Sequence, residues 1–154
     1  MRKIIFLDID GVLNVIPQGH DKFGGIFHPH LVDNLTNIIK QTGADIVISS
    51  SWRMNGLIEL RAMWKERKLP GELVGVTPIL YKHVRGAEIE QWLQQNFCDK
   101  YVIIDDDIDM LPSQLPYFIK TSGNVNHEDC IPFSAGLGLT KICAEKAIQI
   151  LNSL

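Results

Sequence analysis

Asp8 and Asp10 follow directly on the apolar run Ile4-Ile5-Phe6-Leu7, one residue apart, with Gly11 after them. Asp105, Asp106 and Asp107 follow in the same way on Val102-Ile103-Ile104. Short continuous apolar runs are those of buried strands, and a carboxylate beside one is costly unless a cation neutralises it. Closely set oxygens suit a hard divalent cation such as Mg²⁺. A carboxylate at such a site can attack phosphorus, splitting phosphate-ester hydrolysis into two displacements through an aspartyl-phosphate. Asp8 is placed for that attack. Asp10 is placed to protonate the leaving oxygen and then to take a proton from the attacking water. The metal is expected on Asp8, Asp105 and a backbone carbonyl near Asp10. Gly11 lets the chain turn sharply enough to fold the second carboxylate over the first.

The elements that must position these acids can be read from the rest of the chain. A strand over Lys3–Asp8 leads into a loop rich in Gly, Pro and His (Pro17, Gly19, Gly24, Gly25, Pro29). Leu31, Leu35, Ile38 and Ile39 then share one helical face, closed by Gly43. Ala44–Ile48 reads as a buried strand running into Ser49-Ser50-Ser51-Trp52-Arg53. A helix is expected over Leu57–Lys68, a short strand over Glu72–Val76 and a helix over Gly86–Asn96. Tyr101–Ile104 leads to the acidic triplet, Tyr117–Thr121 reads as a strand, and Thr140–Leu151 as an amphipathic helix. This alternation predicts a three-layer α/β/α sandwich around a mainly parallel, Rossmann-like sheet, with residues 1–154 as a single domain. In such sheets ligands gather beyond the carboxyl ends of the strands. Asp8, Ser49–Ser51 and Asp105–Asp107 all fall there.

Composition narrows the function classes. A formal net charge of −3 gives no bulk positive field for a long nucleic acid. Cys98, Cys130 and Cys143 form no CxxC pair, so a reducing, cytoplasmic setting is expected rather than a disulfide framework or zinc knuckle. No stretch reaches membrane-spanning length, and the apolar run before Asp8 is too short for a signal peptide. Calcium loops of the EF-hand type are excluded at both clusters. Leu13 and Gly19, and Met110 and Pro116, stand where Gly and Glu are needed.

A phosphate held at this rim needs hydrogen-bond donors and a cation. A serine hydroxyl at the end of the second strand, with the backbone N–H groups after it, supplies the donors. Arg85 is the first candidate for the cation and Lys82 the second. Arg53 is expected to face the site as a further substrate contact. Trp52 suits either core packing or a platform for a base. One of His20, His28 and His127 could line the mouth. Arg61, Lys65, Arg67 and Lys68, together with Arg53, read as a solvated helix face.

The ordered set Asp8-Ile9-Asp10-Gly11-Val12, Ser49-Ser50-Ser51, Arg85 or Lys82, and Asp105-Asp106 resembles the four motifs of the haloacid-dehalogenase-like (HAD) superfamily. The resemblance implies nucleophile and acid/base aspartates at Asp8 and Asp10 and a phosphate-binding serine, Ser50 first and Ser49 next. It also implies a basic third motif and metal binding by Asp105 and Asp106 beside Asp8 and Asp10. The third motif is usually Lys in that superfamily, whereas Arg85 is best placed here. Ser50-Ser51-Trp52-Arg53, Arg85-Gly86-Ala87-Glu88-Ile89 and Gly138-Leu139-Thr140 further resemble a small branch without a large cap domain. That branch includes HAD domains of RNA-repair proteins and the phosphatase halves of polynucleotide kinase-phosphatases.

It implies a Mg²⁺-dependent phosphomonoester hydrolase acting on a phosphorylated substrate, with nucleic-acid ends ranked first and nucleotides also admitted. The presence of Asp10 favours phosphate esters over dehalogenation. The alternatives are a non-catalytic phosphate- or nucleotide-binding module and a phosphotransferase of the same fold. No membrane association is expected, and no stable protein partner can be inferred.

Overall fold

The computed structural model describes residues 1–15, 19–123 and 137–154. Pro17, His127 and Cys130 therefore lie outside the described residues. Five strands form one sheet: β1 (Lys3–Leu7), β4 (Asp45–Ile48), β5 (Leu73–Val76), β6 (Lys100–Asp105) and β7 (Phe118–Lys120). Their spatial order is β5-β4-β1-β6-β7, and every neighbouring pair is parallel. β1 is central, which explains its run of four apolar residues without a polar one. Ile4, Ile5, Phe6 and Leu7 are all fully buried. Covering each of them contributes roughly 1.5–3 kcal/mol.

Alternation sends successive side chains of these strands to opposite faces. On one face Ile5, Leu7, Ile46, Ile48, Val102 and Ile104 pack against helices α1 (Pro29–Thr42), α2 (Leu57–Glu66) and α4 (Lys141–Asn152). On the other face Ile4, Phe6, Val47 and Ile103 pack against Ile89 and Trp92 of α3 (Arg85–Gln95). The three-layer arrangement expected from the sequence is present, with the helices shared unequally between the faces. The ends of α1 and α4 follow from their caps. A His28 ring nitrogen accepts from His30 N ahead of Pro29, Gly43 closes α1, and the Thr140 hydroxyl accepts from Cys143 N.

Between β1 and α1 the described chain adds only a small antiparallel hairpin, β2 (His20–Asp21) with β3 (Gly24–Gly25). No large cap domain is inserted there. The hairpin is pinned from α2's end by Arg67, whose Nε and Nη2 donate to the two Asp21 carboxylate oxygens at 2.9 and 2.7 Å. Its Nη1 and Nη2 also donate to the carbonyls of Gly25 and Gly24. This corrects the expectation of a solvated basic face for two of its members, since Arg67 is nearly covered and Arg53 is buried. Arg61, Lys65 and Lys68 are exposed as expected. No helix among the described residues is long and apolar enough to cross a membrane.

Candidate active site

Leu7 of β1 is level with Ile48 of β4 and Ile104 of β6, so Asp8, Ser49 and Asp105 come next to one another at the carboxyl edge. Asp8 N donates to Ile104 O and Ser49 N to Leu7 O, which continues the pairing by one residue. Two residues beyond Phe6, Val47 and Ile103, the alternation brings all three to the side that α3 covers. α3 supplies the cation. Arg85 Nη1 lies 3.0 Å from Asp8 Oδ1 and 2.5 Å from Asp105 Oδ2. Of the two basic candidates, Arg85 is the one at the acids, whereas Lys82 is exposed on the preceding turn.

The loop after the acidic triplet fixes where α3 begins. Asp109 accepts from Arg85 N through its side chain and from Gly86 N through its carbonyl. Buried Gln114 donates to Gly86 O and accepts from Leu111 N. A Cβ at Gly86 would lie 2.6 Å from Leu111 N, so this docking requires glycine. Asp109 and Gln114 therefore serve the site indirectly. Nothing in their spacing announces it, because they act on a helix that precedes them in the chain.

Asp8, Asp105 and Asp106 each bring a carboxylate oxygen within 4.8 Å of the others. Asp105 is held by Asp107 N on Oδ1 and by Arg85 on Oδ2. Asp106 is held by shape. It lies against Gly11, at φ +82°, and Gly123, and a Cβ at either would collide with its carboxylate. Burial of Asp8 raises its pKa to about 8, with the Asp105 charge adding to the effect and Arg85 opposing it. Asp105 is raised in the same way, again first by burial. For Arg85 burial works against the charge, but the carboxylates of Asp105 and Asp8 outweigh it and push the pKa up. One guanidinium cannot balance all three carboxylates once they are ionised. An all-oxygen set this close fits a hard divalent cation.

The Asp10 side chain belongs to a different group from these three. Asn14 Nδ2 donates to Asp10 Oδ1 at 2.8 Å and Trp52 Nε1 to Asp10 Oδ2 at 3.0 Å. The Trp52 N–H is thereby taken up by Asp10, while its ring packs partly buried against the core. The serines also divide. Ser50 Oγ accepts from Trp52 N as the cap of the 3₁₀ turn Ser51–Asn55. Ser49 Oγ is buried with no hydrogen-bond partner among the described residues, and so is Thr77 Oγ1 on the neighbouring strand end.

Arg53 is placed behind this edge rather than in it. All five of its N–H donors have partners: Thr77 O, Ser49 O, Ser50 O, Pro78 O and the Glu88 carboxylate. That leaves no donor for an external phosphate in this arrangement. Its guanidinium braces the serine segment from within.

Over residues 4–126 the chain matches the family described as the HAD domain in Swiss Army Knife RNA repair proteins. The chain belongs to that family. No curated protein and no solved structure matches it. The match bears out the resemblance to the small HAD domains without a large cap, and it makes this a phosphatase-type fold. In this HAD domain the late segment Gly138-Leu139 closes behind the first motif. Gly138 N donates to Ser122 O and Leu139 N to Val12 O.

Proposed function

We propose that this HAD domain is a Mg²⁺-dependent phosphomonoester hydrolase whose nucleophile is Asp8 and whose substrate is the phosphorylated end of a nucleic acid. The observation that carries the chemistry is the Arg85 guanidinium between Asp8 and Asp105, with Asp106 close by and Asp10 separately held. The substrate class is supported by the RNA-repair context in the family's description. Among the described residues no large cap stands over the strand ends, which suits a bulky substrate.

Asp8 Oδ attacks phosphorus, the bond to the ester oxygen breaks, and the leaving alkoxide takes a proton from Asp10. The product is an aspartyl-phosphate on Asp8. Asp10, now a carboxylate, takes a proton from water as that water attacks phosphorus. The Asp8–phosphate bond then breaks and inorganic phosphate leaves. Arg85 balances charge on Asp8 and on the transferring group. Ser49 offers a buried hydroxyl to a phosphate oxygen, while Ser50 shapes the turn that carries the neighbouring N–H groups. Asp8, Asp105 and Asp106 would hold Mg²⁺, which when bound offsets repulsion between an anionic nucleophile and an anionic phosphate.

The test is phosphate release from p-nitrophenyl phosphate and from oligonucleotides phosphorylated at either end, with Mg²⁺ or with chelator. Metal-dependent turnover that Asp8→Asn abolishes is the expected result, together with an acid-stable, hydroxylamine-sensitive phosphoenzyme in the parent. A protein that binds phosphorylated ends and releases no phosphate would instead be a binding module.

A further inference from the structure

We propose that Trp52 is a positioning residue for Asp10, aiming its carboxyl at the leaving oxygen; this rests on the hydrolase reading above. The two oxygens of Asp10 are held by two different side chains, Asn14 on Oδ1 and Trp52 on Oδ2. One donor fixes a carboxylate at a point and leaves it free to rotate. Two donors on separate oxygens fix its plane. Indole N–H is a donor only, so Trp52 always meets Asp10 as an acceptor and leaves that oxygen's other lone pair for the substrate.

The indole is itself firmly placed. Gly24 of the hairpin approaches so closely that an added Cβ would lie 3.3 Å from the ring. Phe27 packs edge-on at 5.5 Å between ring centroids, and the Arg67 guanidinium lies 5.9 Å from the ring centroid. Arg67 is the residue that clamps the hairpin, so the hairpin's position reaches Asp10 through one aromatic ring. A half-buried indole needs some acceptor, and Trp64 shows that an ordinary one serves: its Nε1 donates to Pro70 O. Trp52 uses a carboxylate of the candidate site instead, 42 residues away in the chain.

Transfer of a proton to a leaving oxygen tolerates little misplacement of the acid. The need for it depends on the leaving group. A p-nitrophenolate departs readily without a proton, whereas an alkoxide does not. The test is kcat/KM, which covers steps only through the first P–O cleavage, across phosphate monoesters from p-nitrophenyl to alkyl.

Trp52→Phe keeps an aromatic ring, a smaller one, and removes the N–H. It is expected to lower kcat/KM for the alkyl ester about tenfold more than for the p-nitrophenyl ester. β-3-Benzothienylalanine at position 52, which replaces the N–H with sulfur in the same shape, is expected to do the same with the thermal midpoint unchanged. It keeps the test open should Trp52→Phe fold poorly. Losses that are equal for all esters, or no loss, overturn the assignment, since a merely structural role lowers all alike. Asp10→Asn is the reference. If it steepens the dependence and the position-52 variants do not, only the Trp52 assignment falls. If the parent cleaves none of the esters, the hydrolase reading falls and the Trp52 assignment with it.

Discussion

Arg53 and Glu88 form a buried ion pair, Nη2 to Oε2 at 2.6 Å, with both side chains at most 5% exposed. Glu88 also accepts from Leu80 N, and Arg53 also donates to the carbonyls of Ser49, Ser50, Thr77 and Pro78. The pair therefore ties the serine segment, the loop after β5 and helix α3 into one unit. Glu88→Ala would leave a buried guanidinium without its counter-charge. The expected loss of stability is about 3–5 kcal/mol, read from urea unfolding of parent and variant. Glu88→Gln keeps an acceptor and should lose less. A loss under about 1 kcal/mol for the alanine variant would show that the pair is not a brace.

Asp106 has no strong tether among its described neighbours beyond the shape of Gly11 and Gly123. Gly11→Ala adds a methyl group where the Asp106 carboxylate lies, at a positive φ that alanine disfavours. The acid would be pushed from the cluster. The Mg²⁺ concentration for half-maximal activity should rise about 10–100-fold, the scale on which support of a metal ligand matters. Calorimetric titration with Mg²⁺ checks the same shift without turnover.

The pKa of Asp8 gives the metal-free protein a pH dependence of definite sign. Folding raises this carboxyl from 3.8 to about 8, chiefly by burial, so the folded state holds a proton that the unfolded chain releases. That contribution to stability is fully present below about pH 4 and is lost as pH rises through about 8. Asp105 acts in the same sense. The slope from one such proton is at most about 1.4 kcal/mol per pH unit. Metal binding requires the carboxylates ionised, so stabilisation by Mg²⁺ should grow over the same window. Thermal midpoints from pH 5 to 8, with chelator and with Mg²⁺, should diverge as pH rises. Parallel curves would contradict this.

Some of this was legible in the chain and some was not. Asp8 and Asp105 could be found because β1 and β6 are buried on both faces, and each prints as an apolar run ending in acid. The hairpin escapes such reading, since two-residue strands have no periodicity and its anchor, Arg67, is the residue just after α2. Arg53 reads as a substrate contact because it follows the serines. Its five acceptors lie in segments up to 35 residues away, and only folding brings them together. Trp52 is ambiguous by type for the same reason, and only its distance to Asp10 settles what its N–H does. Ser49 and Ser50 are alike in sequence and unlike in surroundings.

That last difference separates two roles by mutation. Ser49 Oγ has no partner among the described residues although Ser49 is fully buried, so deleting it removes no hydrogen bond seen in the fold. Ser49→Ala should change stability by less than about 1 kcal/mol, because losing an unsatisfied hydroxyl is nearly neutral. If the hydroxyl serves a phosphate oxygen in the transition state, kcat/KM should nevertheless fall on the order of 100-fold. Ser50 caps the turn that leads to Trp52 and Arg53. Ser50→Ala should lose about 1 kcal/mol, the usual worth of such a cap, with a smaller loss of turnover. Denaturant unfolding and kcat/KM on one phosphorylated oligonucleotide, measured for both variants, distinguish the roles. A Ser50→Ala variant that keeps its stability and loses turnover more than Ser49→Ala would reverse the assignment. The phosphate would then be held one residue later, on the turn itself.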